Sequence, residues 1–431
     1  MSRRAFAFRD GRLHADQVPL ETIVAGTGTP CWVYAARTMR ERLGEFRSAF
    51  EGTPNLVCYA LKANGNLAVV RTLAAEGAGA DIVSGGELER ALAAGVPPSR
   101  IVFSGIGKSA AEMAAALDAG IGQFNVESVP ELLALGEVAA SRRRRAPVAL
   151  RINPDVGADT HHKISTGRRH DKFGIAFERA HEAFALAARL AGIEVVGLHL
   201  HIGSQILDLA PFEDAYARGV DLIRRLRAAG IAIRRLDLGG GFGVPYRGEA
   251  ALDLDRYAAL VRRLTRGLGL ELVFEPGRFL VAEAGVLVAR VLYVKEGASR
   301  RCVVLDAGMN NLIRPALYDA WHEILPLREP EEPGTTEPVD VVGPICESGD
   351  MFARARDLPP LRAGDLVAFM EAGAYGAVMA SDYNARPWAA EVLVDGRRHA
   401  VVRPRVEPRA RFADEAIPEW LLPARLDGAA D

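Results

Sequence analysis

Between residues 56 and 278 the chain alternates two hydrophobic patterns. Short apolar runs rich in β-branched residues occur at "LVCYALK" (56–62), "GADIVSG" (79–85), "RIVFSG" (100–105) and "GQFNVES" (122–128), then at "PVALRINP" (147–154), "VVGLHLHIGS" (195–204), "IRRLDLGGG" (233–241) and "ELVFEPGR" (271–278). Between them, stretches such as "LAVVRTLAAEG", "GELERALAAGV", "AAEMAAALDAG" and "FEDAYARGVDLIRRLRAAG" repeat apolar residues every three or four positions, the period of an amphipathic helix. Most close near a glycine, as a helix C-terminus favours. Eight strands alternating with helices predict an α/β domain built as a parallel (β/α)8 barrel; a doubly wound sheet has the same local pattern and stays open as the alternative.

After about residue 285 the rhythm changes to short strands and Gly/Pro turns with little helix, as in "GVLVARVLYVKEG", "RRCVVLDAG", "GDLVAFMEAG" and "AAEVLVDGRRHAVVRP". That pattern predicts an all-β domain following the barrel, over 286–431. The proline-rich acidic "EPEEPGTTEP" (329–338) reads as an exposed loop, and "RRRR" (142–145) as the solvated end of a helix, where cations suit the dipole.

Composition narrows the function. The 431 residues exceed one ordinary core and fit a barrel of roughly 250 residues with a second domain. Fifty-three basic and 55 acidic residues give a formal charge of −2 without a one-sided basic footprint, so nucleic acid is not the expected partner and a small molecule is. Cys31, Cys58, Cys302 and Cys346 are scattered without metal-ligand spacing, which suits a reducing compartment. There is no apolar segment of signal-peptide or membrane-helix kind, and a soluble, cytoplasmic protein is expected.

In such a barrel the chemistry is built at the C-terminal ends of the strands, with phosphate commonly held after strands 7 and 8. Lys62 ends the first run, "HLHIGSQ" (199–205) the sixth, "LGGGFG" (238–243) the seventh and "EPGR" (275–278) the eighth. Each has an ordinary structural use in isolation: a lysine stem snorkels, a GGG turns the chain, and His199 and His201 share one strand face as core residues or metal ligands. Together on one rim they form an anion site opposite an amine. Gly239, Gly240 and Gly241 let backbone N–H groups approach a phosphate, and Arg278 adds a two-pronged donor. With Glu275 and an imidazole at His201, the set suits pyridoxal 5'-phosphate: a lysine for the Schiff base, a carboxylate for the pyridine nitrogen and an imidazole for the ring face. A metal-dependent barrel hydrolase is the alternative from another class, although the strand ends offer Lys62, glycines and Arg278 where further metal ligands would be needed.

In order along nearly the whole chain, "YALKANGN", "HLHIGSQ", "LDLGGGFG", "EPGR", "GMNNLIRPALYDAWH", "GPICESGD" and "GAYG" resemble the motifs of the fold type III pyridoxal-phosphate-dependent decarboxylases. The resemblance implies a (β/α)8 barrel over 31–285 followed by a β-sandwich, with residues 1–30 joining the β domain. It implies Lys62 as the cofactor lysine, His201 stacked on the ring, Ser204, Gly240, Gly241, Glu275, Pro276, Gly277, Arg278 and Tyr375 as the cofactor cradle, and Glu275 facing the pyridine nitrogen. Cys346 would be the proton donor after CO2 leaves, reaching the active site of the other subunit in a homodimer with shared sites.

An amino-acid substrate is implied, and its distal end can be argued from charge. Arg314 offers a guanidinium fork for a carboxylate and Glu347 can take an ammonium, with Arg278, Tyr318 and Tyr375 as further substrate contacts by resemblance. That combination favours meso-2,6-diaminopimelate going to L-lysine, over ornithine, which has no distal carboxylate; arginine, carboxynorspermidine and substrates of secondary metabolism are the alternatives within the fold. The pattern departs at Ala307 and Asn311, where Gly and Asp are commoner, and in the basic "GRRHDK" of the 160–175 loop, which borders the active site in the family.

Overall fold

The structure is a computed structural model that describes residues 5–157, 167, 172–297, 300–330, 332 and 334–421. Eight parallel strands close on themselves: Asn55–Ala60, Gly79–Ile82, Ile101–Phe103, Gln123–Val126, Ala146–Asn153, Ile193–His199, Arg235–Asp237 and Glu271–Phe274, the last pairing back onto the first. Each overlaps one of the eight apolar runs. The closed ring decides for the barrel and against the open sheet.

The helices between the strands start where short polar side chains replace the missing backbone partners. Ser84, Ser109, Ser128 and Asp253 each accept from the backbone N–H three positions on, and Ser109 with Glu112 forms a reciprocal capping box. Gly120 ends the helix Ala110–Ala119 in the left-handed conformation, φ 75°, that glycine adopts at little cost. The arginines of "RRRR" follow the helix Val129–Ser141, and Arg144 and Arg145 donate to the carbonyls of Leu117 and Ile193, so this stretch stitches helix ends to strand starts.

The second domain is one nine-stranded sheet whose spine is the long strand Gly285–Glu296. Two segments of the N-terminal part belong with it. Residues 6–19 form a small antiparallel sheet, bonded through Leu13 N–H to the Leu327 carbonyl at 2.8 Å and packed with Val286, Val288 and Val392. The strand Cys31–Ala35 is a correction to the expected boundary: it lies between Gly285–Glu296 and Ala390–Asp395, inside the β domain, and the barrel portion starts with the helix Ala36–Ala49. The physical reason is burial on both faces: "CWVYA" is apolar throughout, as an inner strand requires. Lys62 therefore sits between a barrel strand and a sheet built from both ends of the chain.

Candidate active site

The strand Asn55–Ala60 runs into a single turn of 3-10 helix, Leu61–Ala63, which aims Lys62 into the barrel mouth. Its Nζ lies 2.7 Å from Asp81 Oδ2, on the next strand, and 37% of the side chain stays exposed. Burial opposes the ammonium, but Asp81 and Glu275 outweigh it and raise the lysine above its ordinary pKa. The turn is pinned on three sides. Asn64 Nδ2 donates to the Gly373 carbonyl at 3.1 Å, Tyr375 N–H donates to the Ala63 carbonyl at 2.7 Å, and Tyr59 Oη donates to the Asn64 carbonyl at 2.9 Å.

Glu275 ends the eighth strand and is 5% exposed. Its Oε1 accepts from Asn125 Nδ2 at 2.8 Å and Ser104 Oγ at 3.3 Å, while Oε2 lies 3.4 Å from His199 Nε2. Burial alone would raise its pKa; His199 and Lys62 reverse that and hold the carboxyl well below its usual range, so it stays ionised. Behind it Asp237 accepts from Gln123 Nε2 at 2.9 Å and from the Gly239 N–H at 3.0 Å, and burial plus the Glu275 charge push it up to about 7. Of the two carboxyls, Glu275 is held ionised and Asp237 is the one shifted toward its protonated form.

His199, Asp237 and Glu275 lie close enough to suggest a cation site. The carboxylates are already engaged by amides, however: Asn125 Nδ2 bridges both, at 2.8 Å to Glu275 and 3.3 Å to Asp237. A cation would have to displace these donors. The cluster reads as a hydrogen-bonded bed under the Glu275 carboxylate.

His201 stands one strand-repeat beyond His199. Its Nδ1 accepts from the Gly240 N–H at 3.1 Å, and burial with the Arg151 charge lowers its pKa well below the ordinary value, which leaves a neutral ring. The glycines are required by close approach. A Cβ at Gly240 would stand 2.3 Å from the Glu275 carbonyl, and one at Gly241, whose φ is 101°, 2.6 Å from the Gly203 carbonyl. Beside them Arg278 donates to Ser204 Oγ at 3.0 Å and to Tyr246 Oη at 2.9 Å, and its guanidinium lies 4.8 Å from the centre of the Tyr375 ring.

Pro276 and Gly277 link Glu275 to Arg278. The Pro276 carbonyl accepts from the Ala60 N–H at 3.2 Å, and Gly277 packs so closely that a Cβ would meet those of Ala60 and Ala63 at 3.1 Å. Arg314 opens the short helix Arg314–Tyr318, is 6% exposed, and lies 4.7 Å from the centre of the Tyr246 ring. No ion pair reaches Arg278 or Arg314 among the described residues. Tyr318 is at the end of the same helix.

Cys346 and Glu347 differ from the rest. Both are exposed on a loop of the β domain, held by Asp350, which accepts from the Ile345 N–H, and by Asn384, which accepts from the Cys346 N–H at 2.9 Å. Their neighbours are Asn384 and Tyr383. Arg168 and Arg169 of the basic loop lie outside the described residues.

Sequence reasoning missed Asp81, Gln123, Asn125, Asp237, Tyr246 and His322. The first four had a readable signal: polar residues inside apolar barrel strands, at positions where a packed interior otherwise takes Val, Ile or Leu.

The donor set fits pyridoxal phosphate: an amine at the rim, an ionised buried carboxylate at the end of the neighbouring strand, a neutral imidazole, and glycines beside a guanidinium with no ion pair among the described residues. Comparison with known proteins agrees. The family described as "Pyridoxal-dependent decarboxylase, pyridoxal binding domain" matches residues 36–282. The diaminopimelate decarboxylase of Zymomonas mobilis is 48% identical over 421 residues, covering 96% of this chain and 99% of its own, and that of Vibrio cholerae is 50% identical over 409 residues, covering 95% and 97%. The crystal structure of diaminopimelate decarboxylase from Helicobacter pylori complexed with L-lysine superposes with a TM-score of 0.88 at 42% identity, over 91% of this chain and 98% of that one.

Proposed function

Since this chain belongs to the family of pyridoxal-dependent decarboxylases, we propose that it converts meso-2,6-diaminopimelate to L-lysine and CO2, the closing step of lysine biosynthesis. The observation that carries the substrate is the pair Arg278 and Arg314. Two guanidinium groups are buried beside Tyr246, and their partners among the described residues are uncharged: Ser204, Tyr246 and His322. Burying unpaired charge is costly, so the site is built for an anion that arrives with its ligands. The distal carboxylate of diaminopimelate meets that need; ornithine brings none.

Lys62, Ser204, Gly240, Gly241 and Glu275 to Arg278 would hold the cofactor, with Tyr375 closing over Arg278. When bound, pyridoxal phosphate supplies an electron sink for the pair left when the carbon–carboxylate bond breaks. Glu275, kept ionised by His199 and fixed by Asn125 and Ser104, would hold a proton on the ring nitrogen. The neutral ring of His201, with Nδ1 committed to Gly240, offers a flat face for stacking. Asp81 pairs the Lys62 ammonium whenever the amine is not engaged.

After CO2 leaves, the carbon needs one proton. Cys346 of the partner subunit would donate it from Sγ, with Glu347 of the partner subunit taking the substrate's distal ammonium. A homodimer is supported by the exposure of that loop, which leaves Cys346 and Glu347 available to a partner subunit. No helix among the described residues is long and apolar enough to cross a membrane.

The test is lysine release from meso-diaminopimelate by the purified protein with added pyridoxal phosphate, beside Lys62→Ala and with ornithine as a control substrate. Lysine from the wild type alone is expected. Turnover of ornithine with no lysine from diaminopimelate would overturn the assignment of the two arginines.

A further inference from the structure

His322 is 3% exposed and makes two hydrogen bonds of opposite polarity. Its Nδ1 is 2.8 Å from the Met370 carbonyl and its Nε2 is 2.8 Å from Arg314 Nη1. A carbonyl only accepts and a guanidinium only donates, so the ring carries its proton on Nδ1 and presents the Nε2 lone pair to Arg314. The segment is fixed from its other side too. The His322 carbonyl accepts from Arg356 Nη1 at 2.9 Å, and the Tyr246 ring, which contacts Arg314, meets the imidazole edge-on at 5.5 Å.

Two other arginines of this fold, buried Arg151 and half-buried Arg42, are oriented by carboxylates. Arg151 is paired with Glu127 at 3.0 Å, and Arg42 with Glu283. Such a partner fixes the fork and also neutralises it. At Arg314 the partner is an imidazole, and burial together with the Arg314 charge pushes His322 down to about 3, so it stays uncharged at any pH at which the protein works.

We propose that His322 is a positioning residue for substrate specificity: an uncharged acceptor that holds Arg314 in place while leaving its full positive charge for the distal carboxylate of the substrate. The inference rests on the function proposed above and deepens it. It explains why a donor-only side chain can be aimed without being spent on the protein itself, and it places the choice between dicarboxylic and monocarboxylic amino acids partly in a residue that touches no ligand.

The test uses two substitutions of equal shape and different charge. Glutamine at 322 offers one donor and one acceptor, as the imidazole does; glutamate offers only acceptors and would pair with Arg314 as an ion. Holoenzyme carrying His322→Gln or His322→Glu is titrated calorimetrically with L-lysine, which keeps the distal carboxylate, and with cadaverine, which lacks it. The wild type is expected to prefer L-lysine. His322→Glu is expected to weaken L-lysine by roughly tenfold or more, the scale of one charge-assisted hydrogen bond, and to leave cadaverine within about twofold, while His322→Gln keeps L-lysine within about threefold. In turnover, His322→Glu is expected to raise KM for diaminopimelate with little change in kcat. Equal losses in the two variants, or parallel losses for L-lysine and cadaverine, would mark a merely structural role and overturn the proposal. A wild type that does not prefer L-lysine would overturn the distal-carboxylate reading and this inference with it.

Discussion

Glu391 connects the β domain to the loop that carries Lys62, and replacing it separates two contributions. Its carboxylate, 3% exposed, accepts at Oε2 from Tyr34 Oη at 2.9 Å and Asn66 Nδ2 at 3.0 Å, and at Oε1 from Arg403 Nη1 at 3.1 Å. Asn66 cannot turn its amide over, because its Oδ1 caps the helix Leu67–Ala75 by accepting from the Ala68 N–H. In Glu391→Gln the amide oxygen therefore has to face Tyr34 and Asn66, and the NH2 group faces Arg403, which is 39% exposed and can turn to water. That exchange costs about 1 kcal/mol. In Glu391→Ala the Tyr34 hydroxyl and the Asn66 amide both lose their acceptor in a dry site, at about 1–3 kcal/mol each, for a total of about 4 kcal/mol. At roughly 2–4 °C per kcal/mol for a cooperative unit of 150–250 residues, thermal unfolding followed by circular dichroism is expected to fall by about 3 °C for Gln and by 10 °C or more for Ala. Because Asn66 is four residues from Lys62, the Ala variant is also expected to lose kcat at a temperature where both variants are folded. Unfolding temperatures for Gln and Ala within about 2 °C of each other would refute the orphaned-donor account.

Lys62→Ala is expected to abolish lysine formation and the absorbance of bound cofactor, and to strand Asp81. Asp81 is already raised by burial, so its ionisation costs stability as pH rises, and the variant's melting temperature is expected to drop more steeply than the wild type's between pH 5 and pH 8; parallel curves would sink this reading. Mixing two inactive proteins, Lys62→Ala and Cys346→Ala, is expected to restore roughly a quarter of the wild-type rate, since half the two-fold dimers would be mixed and each would hold one complete site. No recovery after subunit exchange would place Cys346 outside the chemistry. His322, neutral in the fold and ordinary when unfolded, takes up a proton on unfolding at any pH between its folded value of about 3 and about 6.5. Stability is therefore lost as pH falls below about 6.5, by about 2 kcal/mol on reaching pH 5, and urea midpoints of His322→Gln are expected to change less over that interval than those of the wild type.

The eight barrel strands were legible because each is a short, mostly apolar run bounded by turn residues, and a parallel strand buried on both faces needs little of the polar alternation that marks a half-exposed strand. The rim residues were legible for a related reason: Lys62, Glu275 and Arg278 follow apolar runs directly, and a charge at the end of a barrel strand lies where chemistry is placed. The strand Cys31–Ala35 looks like any barrel strand by the same criterion. Its place in the β domain is decided by partners more than 240 residues away, Gly285–Glu296 and Ala390–Asp395, which no local pattern encodes.

The polar bed beneath the site fell between these cases. Asp81, Gln123, Asn125, His199, Asp237 and Glu275 are each 5% exposed or less, come from five adjacent or facing strands, and lie at interior positions where a side chain without a partner would cost several kcal/mol. A lone polar residue there would be a defect. Here Gln123 and Asn125 bond to Asp237, Asn125 bonds to Ser104 and Glu275 as well, His199 stands against Glu275, and Asp81 pairs with Lys62, a network that keeps the Glu275 carboxylate ionised below the barrel mouth. The sequence holds their spacing, as in "QFNV" and "LHLH", where polar and apolar residues alternate inside a strand that should be apolar throughout. Alternation of that kind ordinarily signals a strand with one face in water. In a closed barrel the same alternation faces inward, so its meaning depends on closure first, and the network becomes readable only once the eight strands have been counted as a ring.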